Sequence, residues 1–144
     1  MPILANTARW ATNKMPKVIQ PKTHAVIDYA MAASFFGMTA FFWRRNKRAA
    51  VSSLLCGAAE AVTALCTDYP GGVARQISFE THGAIDFGLC GLVASLPGML
   101  RFSDEPESRF FRLQGIAMAT VTGLTDFTGS GKGGQLKEID EHAA

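Results

Sequence analysis

Two histidines each stand four residues ahead of an aspartate. His24 and Asp28 lie in Thr23-His24-Ala25-Val26-Ile27-Asp28-Tyr29, and His82 and Asp86 lie in Thr81-His82-Gly83-Ala84-Ile85-Asp86-Phe87. On a helix that spacing sets imidazole and carboxylate on one face, one turn apart. Imidazole nitrogen and carboxylate oxygen are ligand types that zinc takes, and histidine is also the side chain that most readily exchanges a proton near neutral pH. Two further aspartates recur in the same relation, Asp68 in Thr67-Asp68-Tyr69 and Asp126 in Thr125-Asp126-Phe127. The offset is 58 residues throughout, and without a gap it also carries Gly57 onto Gly115 and Gly71 onto Gly129. The chain is one unit written twice.

The elements that must position these groups follow from composition. Of 144 residues, 48% are hydrophobic and 18% charged, with the charge crowded into the ends and two short loops. Halves this short bury little alone, so they are expected to pack on each other as one domain. Long apolar stretches between charged loops point to a membrane. A net charge of +2 is too mild to imply nucleic acid, and no basic run is interleaved with stacking aromatics. Cys56, Cys66 and Cys90 form no CxxC pair and lie in apolar stretches, where a thiol behaves as a small hydrophobe.

Residues 1–22 read as a basic arm suited to a lipid headgroup zone, with no apolar core of signal-peptide length. Residues 23–71 form the first two-helix repeat, 72–80 a linker, 81–129 the second repeat and 130–144 a flexible tail. The apolar segments are expected at about 24–43, 49–67, 81–100 and 110–127, each close to the ~20 residues that cross a bilayer. Pro21 ahead of Thr23 suits a helix start with threonine as cap. Pro97-Gly98 marks a kink or stop near the end of the third segment. The basic cluster from Arg44 to Arg48 favours hairpin tips in the cytoplasm, and small residues at Gly57, Ala61, Gly115, Ala119 and Gly123 let helices approach closely. Gly129 to Gly134 lacks the spacing of a phosphate-binding loop and reads as linker.

In an antiparallel bundle, His24, Asp28, Asp68, His82, Asp86 and Asp126 gather at one end. One reading is a clasp in which each histidine, with Thr67 or Thr125, ties the ends of its own hairpin together. The other is metal or proton handling, since ionisable groups inside a membrane are functional candidates. Glu60 stands near mid-helix, its counterpart is Met118, and its acid is expected to be protonated or paired with a hydroxyl such as Thr63. No nucleophile has a base at useful spacing and no glycine-rich cofactor fingerprint is present, so neither an enzyme nor a bound cofactor is expected.

With these motifs, and with Ser95-Leu96-Pro97 near the end of the third segment, residues 23–128 resemble the SPW-repeat family of small multi-pass membrane proteins. The family's Ser-Pro-Trp is intact in neither half. The resemblance implies a prokaryotic inner-membrane protein with no assigned catalytic residues. The sequence thus leads to an all-α membrane four-helix bundle of two tandemly duplicated transmembrane hairpins. Its expected role is non-enzymatic, structural or accessory, with the metal- or proton-handling role and a small subunit of a larger complex as alternatives. Membrane lipids, a larger membrane complex or a second copy are the expected partners.

Overall fold

The computed structural model describes residues 15–128. Residues 1–14 of the basic arm and the tail from Gly129 lie outside the described residues. Four helices follow in order: α1 (Pro21–Phe42), α2 (Lys47–Cys66), α3 (Phe79–Met99) and α4 (Ser108–Leu124). They pair as antiparallel hairpins, α1 with α2 and α3 with α4, and α2 also packs against α3. The class is all-α.

The buried faces show why the two units fold alike. On α1 the buried residues include His24, Ala25, Asp28, Ala32 and Phe35, and on α3 they include His82, Gly83, Asp86, Cys90 and Val93. Each member of the second set stands at the repeat offset from its counterpart, so one helical stripe is written twice. At the hairpin crossings Gly57 faces Phe35 and Phe36, while Gly115 lies against Ala94 and the Cys90 carbonyl. A Cβ at Gly115 would come within 2.9 Å of the Ala94 Cβ, so this crossing requires glycine.

Helix starts differ in detail from expectation. The first helix begins at Pro21 behind Gln20, which makes no side-chain cap, so Thr23 sits inside the first turn. At the equivalent place Ser78 accepts a hydrogen bond from the Thr81 N–H at 3.1 Å and starts α3 at Phe79. Asn46 caps α2 through the Ala49 N–H. Pro97 neither stops nor removes the end of α3, which continues to Met99. Below the helix ends, the two hairpin tips are joined because Asn46 and Arg48 both donate to Glu105.

One seam of the bundle is full and the other is not. Between α1 and α4, Phe35 meets Phe110 edge-on with ring centroids 5.4 Å apart, and Phe42 packs on Phe110 and Phe111. Between α2 and α3 the residues equivalent to Phe110 and Phe111 are Ser52 and Ser53, and an open groove of about 730 Å³ runs between the helices. Among the described residues two helices, α1 and α2, are long and apolar enough to cross a membrane.

Candidate metal centre

The site is built by a piece of backbone that occurs twice. Ile77, just ahead of α3, bridges to Thr67 at the end of α2, and Ile19, just ahead of α1, bridges to Thr125 at the end of α4. The Asp68 N–H donates to the Ile77 carbonyl at 2.8 Å, and the Asp126 N–H donates to the Ile19 carbonyl at 3.2 Å. Each pairing fixes a buried threonine beside the first turn of a helix that carries a histidine. The partners cross between repeats. His24 Nδ1 lies 2.8 Å from Thr125 Oγ1, and His82 Nδ1 lies 2.7 Å from Thr67 Oγ1. A clasp confined to each hairpin is therefore not what forms: each histidine is held by the other half.

The threonines also set the tautomers. Thr67 and Thr125 donate their single hydroxyl protons to the carbonyls of Thr63 and Val121, at 2.6 and 2.7 Å. Their lone pairs must then accept, so Nδ1 of each histidine is the N–H donor, and in the neutral ring Nε2 is left with a lone pair. Both Nε2 atoms point to one centre. They lie 3.1 Å apart. Asp28 and Asp86 complete the group, with His24 Nε2 at 3.3 Å from Asp28 and 3.1 Å from Asp86, and His82 Nε2 at 3.2 Å from Asp28 and 3.0 Å from Asp86.

These five distances join the two nitrogens to each other and to three carboxylate oxygens, because Asp28 meets His24 through Oδ1 and His82 through Oδ2 while Asp86 meets both through Oδ2. One ligand atom from each of the four side chains lies within 4.8 Å of the others, and a cation bound at about 2.0–2.1 Å by four such ligands would set its ligand–ligand distances at about 3.3–3.4 Å. Protons alone fit less well. A proton on each Nε2 would find a carboxylate acceptor, but the two N–H groups would then face each other across 3.1 Å. All four residues are at least 97% buried. Edge-on rings of Phe79 and Phe127 close over His24 at centroid distances of 5.4 and 5.2 Å.

Comparison of the chain with protein-family models, curated proteins and solved structures finds no match. The site therefore stands on its own geometry.

The cage departs from two-fold symmetry at one place. The Tyr69 hydroxyl donates to Asp28 Oδ2 at 2.8 Å, whereas the equivalent residue of the second repeat is Phe127, which has no hydroxyl. Asp86 Oδ1 is accordingly buried with no hydrogen-bond partner among the described residues. Burial, then the neighbouring Asp28 carboxylate, push the Tyr69 phenol far above its usual range, so it remains a donor.

Of the six polar residues singled out in the sequence, the structure brings together His24, Asp28, His82 and Asp86. Asp68 is turned outward, 3.8 Å from Arg75 on the surface. Asp126 accepts from the backbone N–H and hydroxyl of Thr128 at 3.0 and 2.6 Å. The physical reason is the bridge geometry: the chain beyond each threonine is extended, so the next side chain points away from the one before it. Thr67 and Thr125 reach the cage in place of these aspartates. Tyr69 was marked in the sequence only as part of the repeated motif, and its role follows from being the hydroxylated member of the Tyr69/Phe127 pair. Glu60 is buried without the expected hydroxyl partner, because Thr63 donates to the Ala59 carbonyl instead. Cys56, Cys66 and Cys90 are free thiols.

Proposed function

We propose that this chain is an integral membrane protein that holds one divalent cation of the zinc class between its duplicated halves, through His24, Asp28, His82 and Asp86. The observation that carries the reading is the pair of Nε2 atoms, each aimed by a threonine, that converge with two carboxylates so that one ligand atom from each side chain lies within 4.8 Å of the others. Four protein ligands make a closed coordination shell, which suits a structural or cargo ion rather than a catalytic one with an open position. The role proposed is accordingly non-enzymatic. Membrane residence is supported by the outward faces of the helices: only 28% of the apolar window of α1 and 44% of that of α2 is buried. Leu55, Val62, Leu113 and Ile116 are among the large apolar side chains left exposed. Large apolar side chains exposed in this number favour a lipid or protein cover. Resemblance to the SPW-repeat family and a prokaryotic inner-membrane location belong to the same proposal.

The test is metal analysis of the chain purified in detergent, stripped and reloaded with Zn²⁺ or Co²⁺. One ion per chain is expected, with the intense visible bands of tetrahedral Co²⁺, and the double variant His24→Ala/His82→Ala should hold none. A wild-type chain that folds normally yet retains no ion and gains no thermal stability from Zn²⁺ would return the cage to a purely structural clasp between halves. Carbonate extraction of membranes checks location, and release into the soluble fraction would refute the membrane reading.

A further inference from the structure

The two repeats carry the same cage residues but different walls. In the seam between α1 and α4 the rings of Phe35, Phe42, Phe110 and Phe111 fill the space, and the Gln114 amide donates to the Ser34 hydroxyl at 3.1 Å. The seam between α2 and α3 differs at the equivalent positions in two ways. Ser52 and Ser53 stand for Phe110 and Phe111, which removes volume, while Cys56 and Leu92 stand for Gln114 and Ser34, which removes polarity. Val51 likewise stands where the second repeat has Arg109. The result is the groove of about 730 Å³, apolar along nearly its whole length. Leu89, Leu92, Leu96 and Leu100 follow at helical spacing on one wall, and Val51 and Leu55 line the other. Val51, Leu55, Leu92 and Leu100 are also exposed, so the groove opens to the surroundings of the bundle.

Its length and its charge both have a direction. From Lys47 to Ala59 the groove follows α2 for about 18 Å, close to half of a hydrocarbon core about 30 Å thick. Lys47 and Arg48 line it where α2 begins, and the equivalent residues of the second repeat are Glu105 and Pro106, so these two cations have no counterpart at the filled seam. Arg48 is tied across the end of the groove, donating to the carbonyls of Leu100 and Arg101 at 3.2 and 2.7 Å and pairing with Glu105. The Lys47 ammonium lies 3.9 Å from the Trp43 ring centroid and forms no ion pair among the described residues. An exposed tryptophan beside basic residues is what the headgroup level of a bilayer favours. An apolar slot with an unpaired ammonium at one end is complementary to an amphiphile that has a hydrocarbon chain and a negative head.

We propose that the groove between α2 and α3 binds one acyl chain of an anionic phospholipid, with its phosphate held at the hairpin tips by Lys47. The inference rests on the membrane reading above and is independent of the ion in the cage. Lysine serves the phosphate as a point charge, and Arg48, fixed by its own partners, walls off the end of the groove.

Photo-cross-linking tests the site on the full-length chain reconstituted in phosphatidylcholine vesicles that contain phosphatidylglycerol with a diazirine midway along one acyl chain. Cross-links should concentrate on Leu55, Leu92 and Leu96 and be sparse at Leu113 and Ile116, which are exposed on α4. Phosphatidylcholine carrying the same diazirine should label the groove no more than α4. Lys47→Gln, at an exposed position, should reduce groove labelling by phosphatidylglycerol about fivefold, the order expected for one lysine facing an anionic headgroup. Ser52→Phe, which copies Phe110, should exclude the chain and remove most of the label. Equal groove labelling by the two lipids, phosphatidylglycerol label spread evenly over groove and α4, or wild-type labelling in Lys47→Gln would each overturn the site. An unlabelled groove, with amine cross-links joining Lys47 of two chains, would overturn it in favour of a second copy. A chain that never enters the vesicles would instead overturn the membrane reading itself.

Discussion

The first and second repeats agree where they meet and differ where they face outward from that meeting. His24 and His82, Thr67 and Thr125, and Ile19 and Ile77 are matched in type and in contact, and Asp28 and Asp86 are matched in type. They are matched because each half completes the other: a change in one histidine would strand a threonine in the opposite repeat and two carboxylates between them. Away from the cage the constraint relaxes. Phe110 and Phe111 fill one seam, while their counterparts Ser52 and Ser53 stand on the helix that borders the open groove of the other. Shared contacts preserve symmetry, and a wall that touches only its own neighbour is free to lose it.

The largest effect expected is from His24→Ala or His82→Ala, either of which leaves buried carboxylates without their donors or their ion at a cost of about 3–5 kcal/mol. Because the cage is shared, the two variants should lose similar thermal stability in detergent, and tolerance of one but not the other would break the equivalence. Thr67→Val and Thr125→Val come next. Each strands a buried histidine Nδ1–H, which costs about 1–3 kcal/mol, and the two losses should again match. Their effect on metal affinity is a sharper check, since a freed imidazole can turn its Nε2 away from the centre.

Substitutions that exchange one repeat's character for the other's probe the differences. Tyr69→Phe should cost about 1.5–3 kcal/mol by removing a hydrogen bond to a charged group. Phe127→Tyr should recover part of that by offering Asp86 Oδ1 a donor, for a gain of about 0.5–1.5 kcal/mol in unfolding experiments. A loss of stability in Phe127→Tyr would show that the ring, packed against Gly83, has no room for the hydroxyl. Smallest in net effect is Glu60→Met, which removes a buried orphan carboxyl and copies Met118. A rise of a few degrees in melting temperature, about 1 kcal/mol, should accompany it.

Much of this was legible in the chain. The repeat offset places both His/Asp pairs on equivalent helix faces, since a four-residue step admits little else on a helix. The matching of Tyr69 with Phe127, and of Glu60 with Met118, already marks where symmetry fails. Asp68 and Asp126 were misplaced for a reason that spacing cannot reveal. They follow the C-caps Thr67 and Thr125, where the backbone turns extended, and alternation then sends the threonine inward and the aspartate out. The bridges that impose this come from Ile19 and Ile77, neither of which carries a chemical signal of its own.

The sequence by itself determined the duplicated unit, the all-α class, the two His/Asp pairs and the apolar stretches that the membrane proposal rests on. These are local properties, written in residue type and period. Only the tertiary structure decided that each histidine is oriented by the other repeat's threonine, that both Nε2 atoms meet at 3.1 Å, and that one seam is open. Those outcomes depend on how two similar hairpins dock. Docking is set by the summed shape of many side chains, so no single motif states it in advance.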